Sequence, residues 1–278
     1  MLSASDDRAV ELQDRAATGL GPAEEPAISV EHLSVTYRTT YDRRPTLKHR
    51  LIQLGRGGRA VREICALNDV SFDVPHGTVL GVIGVNGAGK STLMRTVAGI
   101  LPPTEGRVVV NGRVSTLLSL GVGFNGNLSG RENVILGGLA AGLTREQLEA
   151  KYDEIAEFAE LDDFMDLPMR TYSSGMYGRL AFSVAMNMEP DILLIDEALA
   201  AGDARFKRKS FEKMRDLCSR AHTIVIVSHA LRSIRQLCEE VIWMHKGELV
   251  MRDDADTVIK AYTRFLDVGE NEIALEDV

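Results

Sequence analysis

The apolar positions of this chain fall into two recurring patterns. Val79–Ile83, Ile192–Ile195 and Thr223–Val227 are short apolar runs of the kind found in strands buried on both faces. Ile28–Tyr37 and Leu67–Val74 also read as strands. Arg107–Val110 and Arg113-Val114 flank Asn111-Gly112 and read as a hairpin, because Asn-Gly supplies the positive φ values of a type I′ turn. Val241–Met244 and Glu248–Met251, on either side of His245-Lys246-Gly247, read as a closing hairpin. Helices are expected over Ser91–Ala98, Arg131–Ala141, Thr144–Ala159, Met176–Met188 and roughly 204–220. Thr144 and Gln147 have the spacing of a capping box, and Pro168 breaks the chain between two helices. Strands alternating with helices predict an α/β fold with a parallel sheet and crossover helices.

Composition narrows the class. Of 278 residues, 45 % are hydrophobic and 26 % charged, which excludes wholesale disorder. Thirty-two Lys and Arg against 40 Asp and Glu give a net charge of −8, so no nucleic-acid partner is expected. A membrane-spanning helix needs about 20 apolar residues, and no run of that length occurs. The first residues, MLSASDDRAVELQD, hold no apolar run of signal-peptide length, so a cytoplasmic protein is expected. Cys65, Cys218 and Cys238 are too widely spaced for a disulfide framework or a zinc pattern, and fit reduced thiols. Residues 1–26 read as a disordered lead, and 267–278 as an acidic, solvated tail. Residues 39–63 carry seven Lys and Arg against two acids inside an otherwise acidic chain. That stretch is either a solvated loop or a surface for anionic headgroups or a lipid diphosphate.

The candidate chemistry starts after the first buried strand. Gly84-Val85-Asn86-Gly87-Ala88-Gly89-Lys90-Ser91-Thr92 contains the P-loop spacing and leads into a helix, the context the motif requires. The glycines let successive N–H groups turn inward as an anion nest, and the helix N-terminus adds its positive dipole end. Lys90 can then reach β- and γ-phosphates, and the Ser91 hydroxyl can ligate Mg²⁺. Asp196 ends a second buried strand, where ligands of open α/β sheets bind, and is placed to hold Mg²⁺ through water. Glu197 follows as a candidate general base for an attacking water, and His229, just after a third buried strand, as a γ-phosphate contact.

Between these motifs lies Tyr172-Ser173-Ser174-Gly175-Met176, which resembles the signature sequence of ABC-transporter ATPases. P-loop, signature, Asp196-Glu197, Asp203 in a D-loop-like position and His229 occur in that family's order and spacing, over roughly residues 28–266. The resemblance implies an α/β P-loop ABC-type ATPase with a RecA-like parallel sheet core, an antiparallel β-subdomain and a helical subdomain at about 127–188, together spanning 27–266. It implies ATP and Mg²⁺ as cofactors. It also implies a head-to-tail homodimer in which Ser173, Ser174, Gly175 and Asp203 face nucleotide held by another copy, with Tyr37 stacked on the adenine. YSSGMYGRLAFSVA and DEALAAGDARFKRKS are similar to ATPase subunits that export O-antigen, teichoic acid and related envelope polysaccharides. In that group the partner is a separate integral-membrane permease, the cargo a lipid-linked polysaccharide, and the location the cytoplasmic membrane face. The family's usual Gln has no counterpart near Ser119-Leu120. No C-terminal glycan-binding β-sandwich is expected after 266. Two competing readings are weaker. A soluble ABC-type ATPase on nucleic acid or the ribosome conflicts with the acidic charge. A regulator without turnover conflicts with the presence of Glu197 and His229.

Overall fold

The computed structural model describes residues 25–41, 60–116, 124–140, 143–187, 190–196, 203–219 and 222–268. Most of the expected lead and tail, most of the basic stretch, the segment around Ser119-Leu120, and Glu197 therefore lie outside the described residues.

Nine strands form two sheets among the described residues. The larger has the order β5 (Val114–Thr116), β6 (Ile192–Asp196), β7 (Thr223–Val227), β3 (Val79–Ile83), β8 (Glu240–His245), β9 (Glu248–Asp254). Its first five strands are mutually parallel, and β9 closes the edge antiparallel to β8. Crossover helices explain both features: a parallel neighbour needs a long connection, whereas β8 and β9 are joined directly by the turn at Lys246 and Gly247, both at positive φ.

Because side chains alternate along a strand, the central strands feed two separate cores. Val79, Ile83, Leu193, Ile195, Ile224, Ile226, Val241 and Trp243 face one side. There they meet α4 (Ser174–Asn187), α5 (Ala204–Ser219), α6 (Leu231–Leu237) and α7 (Ala255–Val268). Leu80, Val82, Ile192, Leu194, Val225, Val227, Ile242 and Met244 face the other side. That side is covered by α1 (Lys90–Val97) and by a three-stranded antiparallel sheet of order β2 (Ala60–Val74), β1 (Ile28–Tyr41), β4 (Glu105–Val110). A third core joins α2 (Gly130–Ala140), α3 (Arg145–Ala159) and the outer face of α4, through Val134, Leu148, Ile155, Leu180 and Val184. The α3 N-terminus has the expected capping box: Gln147 N–H donates to the Thr144 hydroxyl, and Thr144 N–H donates to the Gln147 side chain.

The expected hairpin around Asn111-Gly112 is corrected. β4 and β5 belong to different sheets: β4 pairs with β1 and β5 with β6. The local signal is outcompeted by tertiary bonds. Asn111 spends its side-chain amide on the Pro26 carbonyl at 2.7 Å, and Asp191 accepts the Arg113 N–H at 2.8 Å. Gly112 (φ 147) passes over Asp191 so closely that a Cβ would sit 2.9 Å from the Asp191 Cβ. The chain therefore crosses between sheets instead of turning back. β1 and β2 are also longer than expected, pairing out to Tyr41 and Ala60.

Candidate functional site

The site is built at the C-terminal ends of three adjacent parallel strands, β6, β7 and β3, the edge of an open α/β sheet where ligands bind. After β3 the chain enters the loop Gly84–Gly89. Gly84 (φ 149) and Gly89 (φ 100) adopt backbone that favours glycine, and both run against other main chain. A Cβ on Gly84 would lie 2.2 Å from the Met244 carbonyl oxygen, and one on Gly89 would lie 2.6 Å from that of Ala66. Gly87 (φ 83) has open space where its Cβ would be. The loop is thus pressed into shape from beneath and open above. The β8–β9 turn helps from below, as Gly247 N–H donates to the Ala88 carbonyl at 3.0 Å.

Lys90 begins α1 and is buried. Its ammonium donates to the carbonyls of Gly84 at 2.7 Å and Val85 at 3.0 Å, which holds the charge inside the curve of the loop. Next to it, the Ser91 hydroxyl donates to Asp196 Oδ2 at 3.1 Å. This bond ties α1 to the end of β6, since Asp196 pairs in register with Val227 of β7. Two residues beyond Val227, His229 lines the same cleft as Asn86 through Thr92 and Asp196. The cleft is an ammonium, a hydroxyl, one carboxylate, an imidazole and a helix N-terminus arranged around an open loop of backbone N–H groups. That donor set suits a polyphosphate chain.

The cleft continues to Tyr37, whose hydroxyl lies 3.3 Å from the Thr92 hydroxyl. Opposite are Ile64, Cys65 and Ala66 of β2, which the motif reading missed. Their signal was weak: only the pairing of Tyr37 with Ile64 across the ribbon brings them there. An exposed aromatic over a small apolar wall suits a flat ring.

The remaining candidates lie elsewhere. Ser173 precedes α4 and accepts the Met176 N–H at 3.2 Å, as an N-cap does. Ser173, Ser174 and Gly175 do not line the cleft. Asp203 caps α5, accepting the Phe206 N–H at 2.9 Å, and that bond holds its carboxyl below the usual range, with Arg179 at 4.0 Å adding to it. Asp203 is also absent from the cleft lining.

Among the described residues no three His, Cys, Asp or Glu side chains gather as a metal cluster. Ser91 and Asp196 do form a hydroxyl–carboxylate pair beside the phosphate loop. Such a pair fits Mg²⁺, which is bound by one or two protein oxygens together with substrate phosphates and water. No helix among them is long and apolar enough to cross a membrane.

Comparison with known proteins gives a consistent result. Residues 67–200 match the family model described as ABC transporter. The chain is 44 % identical over 213 residues to the O-antigen export system ATP-binding protein RfbB of Klebsiella pneumoniae, covering 77 % of this chain and 85 % of that one. It is 42 % identical over 240 residues to the protein of the same name from Myxococcus xanthus, covering 85 % of this chain and 55 % of the relative. It is 45 % identical over 201 residues to the teichoic acids export ATP-binding protein TagH of Enterococcus faecalis, covering 72 % and 45 %. The chain thus spans about half the length of these last two relatives. Among solved structures, an ATP-binding subunit of an ABC transporter superposes with TM-score 0.68 at 21 % identity, covering 85 % of this chain and 93 % of that one. The cassette MJ0796, a dimer in a post-hydrolysis state bound to ADP and Pi, does so with TM-score 0.65 at 21 % identity, covering 82 % and 98 %. At that identity the likeness is one of fold.

Proposed function

This chain belongs to the ATP-binding proteins of ABC transporters, and on that premise we propose that it hydrolyses ATP between two copies of itself to drive a membrane permease exporting a lipid-linked envelope polysaccharide. The observation that carries the enzymatic half is the gathering of Lys90, Ser91, Asp196 and His229 in one cleft, with Ser173–Gly175 outside it. A chain with two anion-binding helix ends that do not share a cleft can use both on one ATP only by lending one to a second copy.

The residues then divide the work. Tyr37 stacks on the adenine, against the apolar wall of Ile64 and Ala66. The N–H groups from Asn86 to Thr92 and the Lys90 ammonium hold the phosphates and neutralise charge on the β–γ bridge. Ser91 and Asp196 hold Mg²⁺, which when bound draws electron density from the phosphoryl oxygens. Glu197, next to Asp196 in sequence, accepts the proton of the attacking water, and His229 hydrogen-bonds the γ-phosphate. Ser173, with the N–H groups of Ser174 and Gly175, contacts the γ-phosphate of the partner's ATP, and Asp203 lies along the same seam. ATP is shared by the two copies, and its hydrolysis removes the shared ligand.

The export half follows from the relatives' names and the sequence resemblance. The cargo is a lipid-linked glycan and the partner an integral-membrane permease at the cytoplasmic membrane face. Co-purification with the permease tests this, followed by ATPase assays with added lipid-linked glycan. Stimulated turnover in the complex is the expected result. A chain that co-purifies with no membrane protein and is stimulated by nucleic acid or ribosomes contradicts it.

A further inference from the structure

Glu160 ends α3 in a left-handed backbone conformation, φ 54 and ψ 47. Glycine is the favoured residue at such a helix end, so a glutamate there carries a conformational cost. Its side chain shows what is gained. Oε2 accepts from the Arg179 guanidinium at 2.9 Å and Oε1 from the Lys209 ammonium at 3.1 Å. Arg205 approaches Oε1 to 3.8 Å. Lys209 also donates to the Phe158 carbonyl at 3.1 Å near the end of α3. Arg179 is 18 % exposed and Glu160 27 %, so solvent screens this pair less than the surface pairs of the molecule.

The two partners come from different helices with different tasks. Arg179 lies on α4, six positions after Ser173, so it moves with the signature turn. Lys209 lies on α5, six positions after Asp203, so it moves with the Asp203 turn. The Arg179 guanidinium packs over the Phe206 ring in the first turn of α5, 4.9 Å from its centroid, and reaches Asp203 at 4.0 Å. One carboxylate from the helical subdomain therefore joins the N-terminal turns of two helices that both face the partner copy in the proposed dimer.

We propose that Glu160 is a positioning residue: through Arg179 and Lys209 it locks the signature turn and the Asp203 turn into one rigid unit that docks on the partner's nucleotide. This rests on the two-copy reading above. It makes closure of the dimer, and not nucleotide binding by a single chain, depend on a residue outside the cleft.

The substitution that separates this role from simple capping is Glu160→Gly. Glycine suits φ 54 and retains the backbone cap, but removes the carboxylate. The test uses the full chain carrying Glu197→Gln, which retains ATP, and measures three things with and without Glu160→Gly: affinity for a fluorescent ATP analogue, thermal midpoint, and the ATP-dependent dimer constant from sedimentation. The expected result is unchanged nucleotide affinity, a midpoint close to the parent's, because relief of strain at φ 54 offsets the lost intrachain ion pairs, and a dimer constant weakened by about tenfold or more. Adding Arg179→Met to Glu160→Gly is expected to weaken the dimer little further, because both remove one latch. An equally tight dimer in the Glu160→Gly chain overturns the inference and leaves the two-copy site standing. A dimer lost only in proportion to lowered thermal stability or nucleotide affinity overturns it too. A Glu197→Gln parent that stays monomeric in ATP overturns the two-copy site and this inference with it.

Discussion

The phosphate loop and the signature turn are both glycine-bearing turns at helix N-termini, yet they are constrained very differently. Gly84 and Gly89 are dictated by the chain's own backbone: positive φ, and carbonyl oxygens 2.2 and 2.6 Å from where a Cβ would stand. Gly175 has no positive φ, and among the described residues its Cβ would meet only the Ser173 hydroxyl, at 3.8 Å. The first turn is a glycine turn because the fold requires it. The second is free to accept a side chain as far as the described fold is concerned, so no packing within the described residues requires glycine there.

That contrast can be broken by substitution. Gly84→Ala is expected to cost roughly 3 kcal/mol or more of folding stability, since a backbone clash and a strained φ coincide. Gly175→Ala is expected to leave urea unfolding within about 0.5 kcal/mol of the parent, as alanine is the better helix former. A large loss in Gly175→Ala, or none in Gly84→Ala, removes the distinction. Lys90→Ala is next in size. It takes the charge out of the cradle and is expected to weaken ATP binding by about tenfold or more in a calorimetric titration. Ser173→Arg is expected to retain single-chain binding; equal loss in both variants contradicts a site shared between copies.

Thiol chemistry sharpens the same contrast from the cleft side. Cys65 is exposed and lines the cleft, whereas burial pushes the Cys218 thiol up to about 11 and the Cys238 thiol higher still. At pH 8 one thiol is expected to react quickly with an aromatic disulfide reagent, and ATP is expected to slow it. Two more should react only after unfolding. Rapid reaction of all three contradicts the burial of Cys218 and Cys238, and no protection of Cys65 by ATP places the nucleotide elsewhere. A modest effect away from both turns is that of Thr144→Ala, which opens the capping box of α3. It is expected to cost about 1 kcal/mol by thermal unfolding, with no change in ATP affinity.

The parts of this molecule that could be read in the sequence are those where local chemistry and fold agree. The buried runs became β3, β6 and β7, and the P-loop spacing lay where strand meets helix, because each is determined within a dozen residues. The Asn111-Gly112 turn misled because its fate is decided by Pro26 and Asp191, distant in sequence. The cleft wall of Ile64, Cys65 and Ala66 and the latch at Glu160 were illegible for the same reason. They arise from strand register and from packing of α3 against α4 and α5, and no spacing rule encodes these contacts. Asp203 is a mixed case: its place after Asp196-Glu197 was legible, its capping of α5 was not.

The central claim is that one copy's signature turn completes the other's nucleotide site. Light scattering on the size-separated Glu197→Gln chain and on Glu197→Gln with Ser173→Arg, each in ATP and Mg²⁺, tests it most directly. The expected result is a mass twice the 30.4 kDa of the chain for the first, and a nucleotide-bound single chain for the second. Two dimers, or two monomers, would contradict the account.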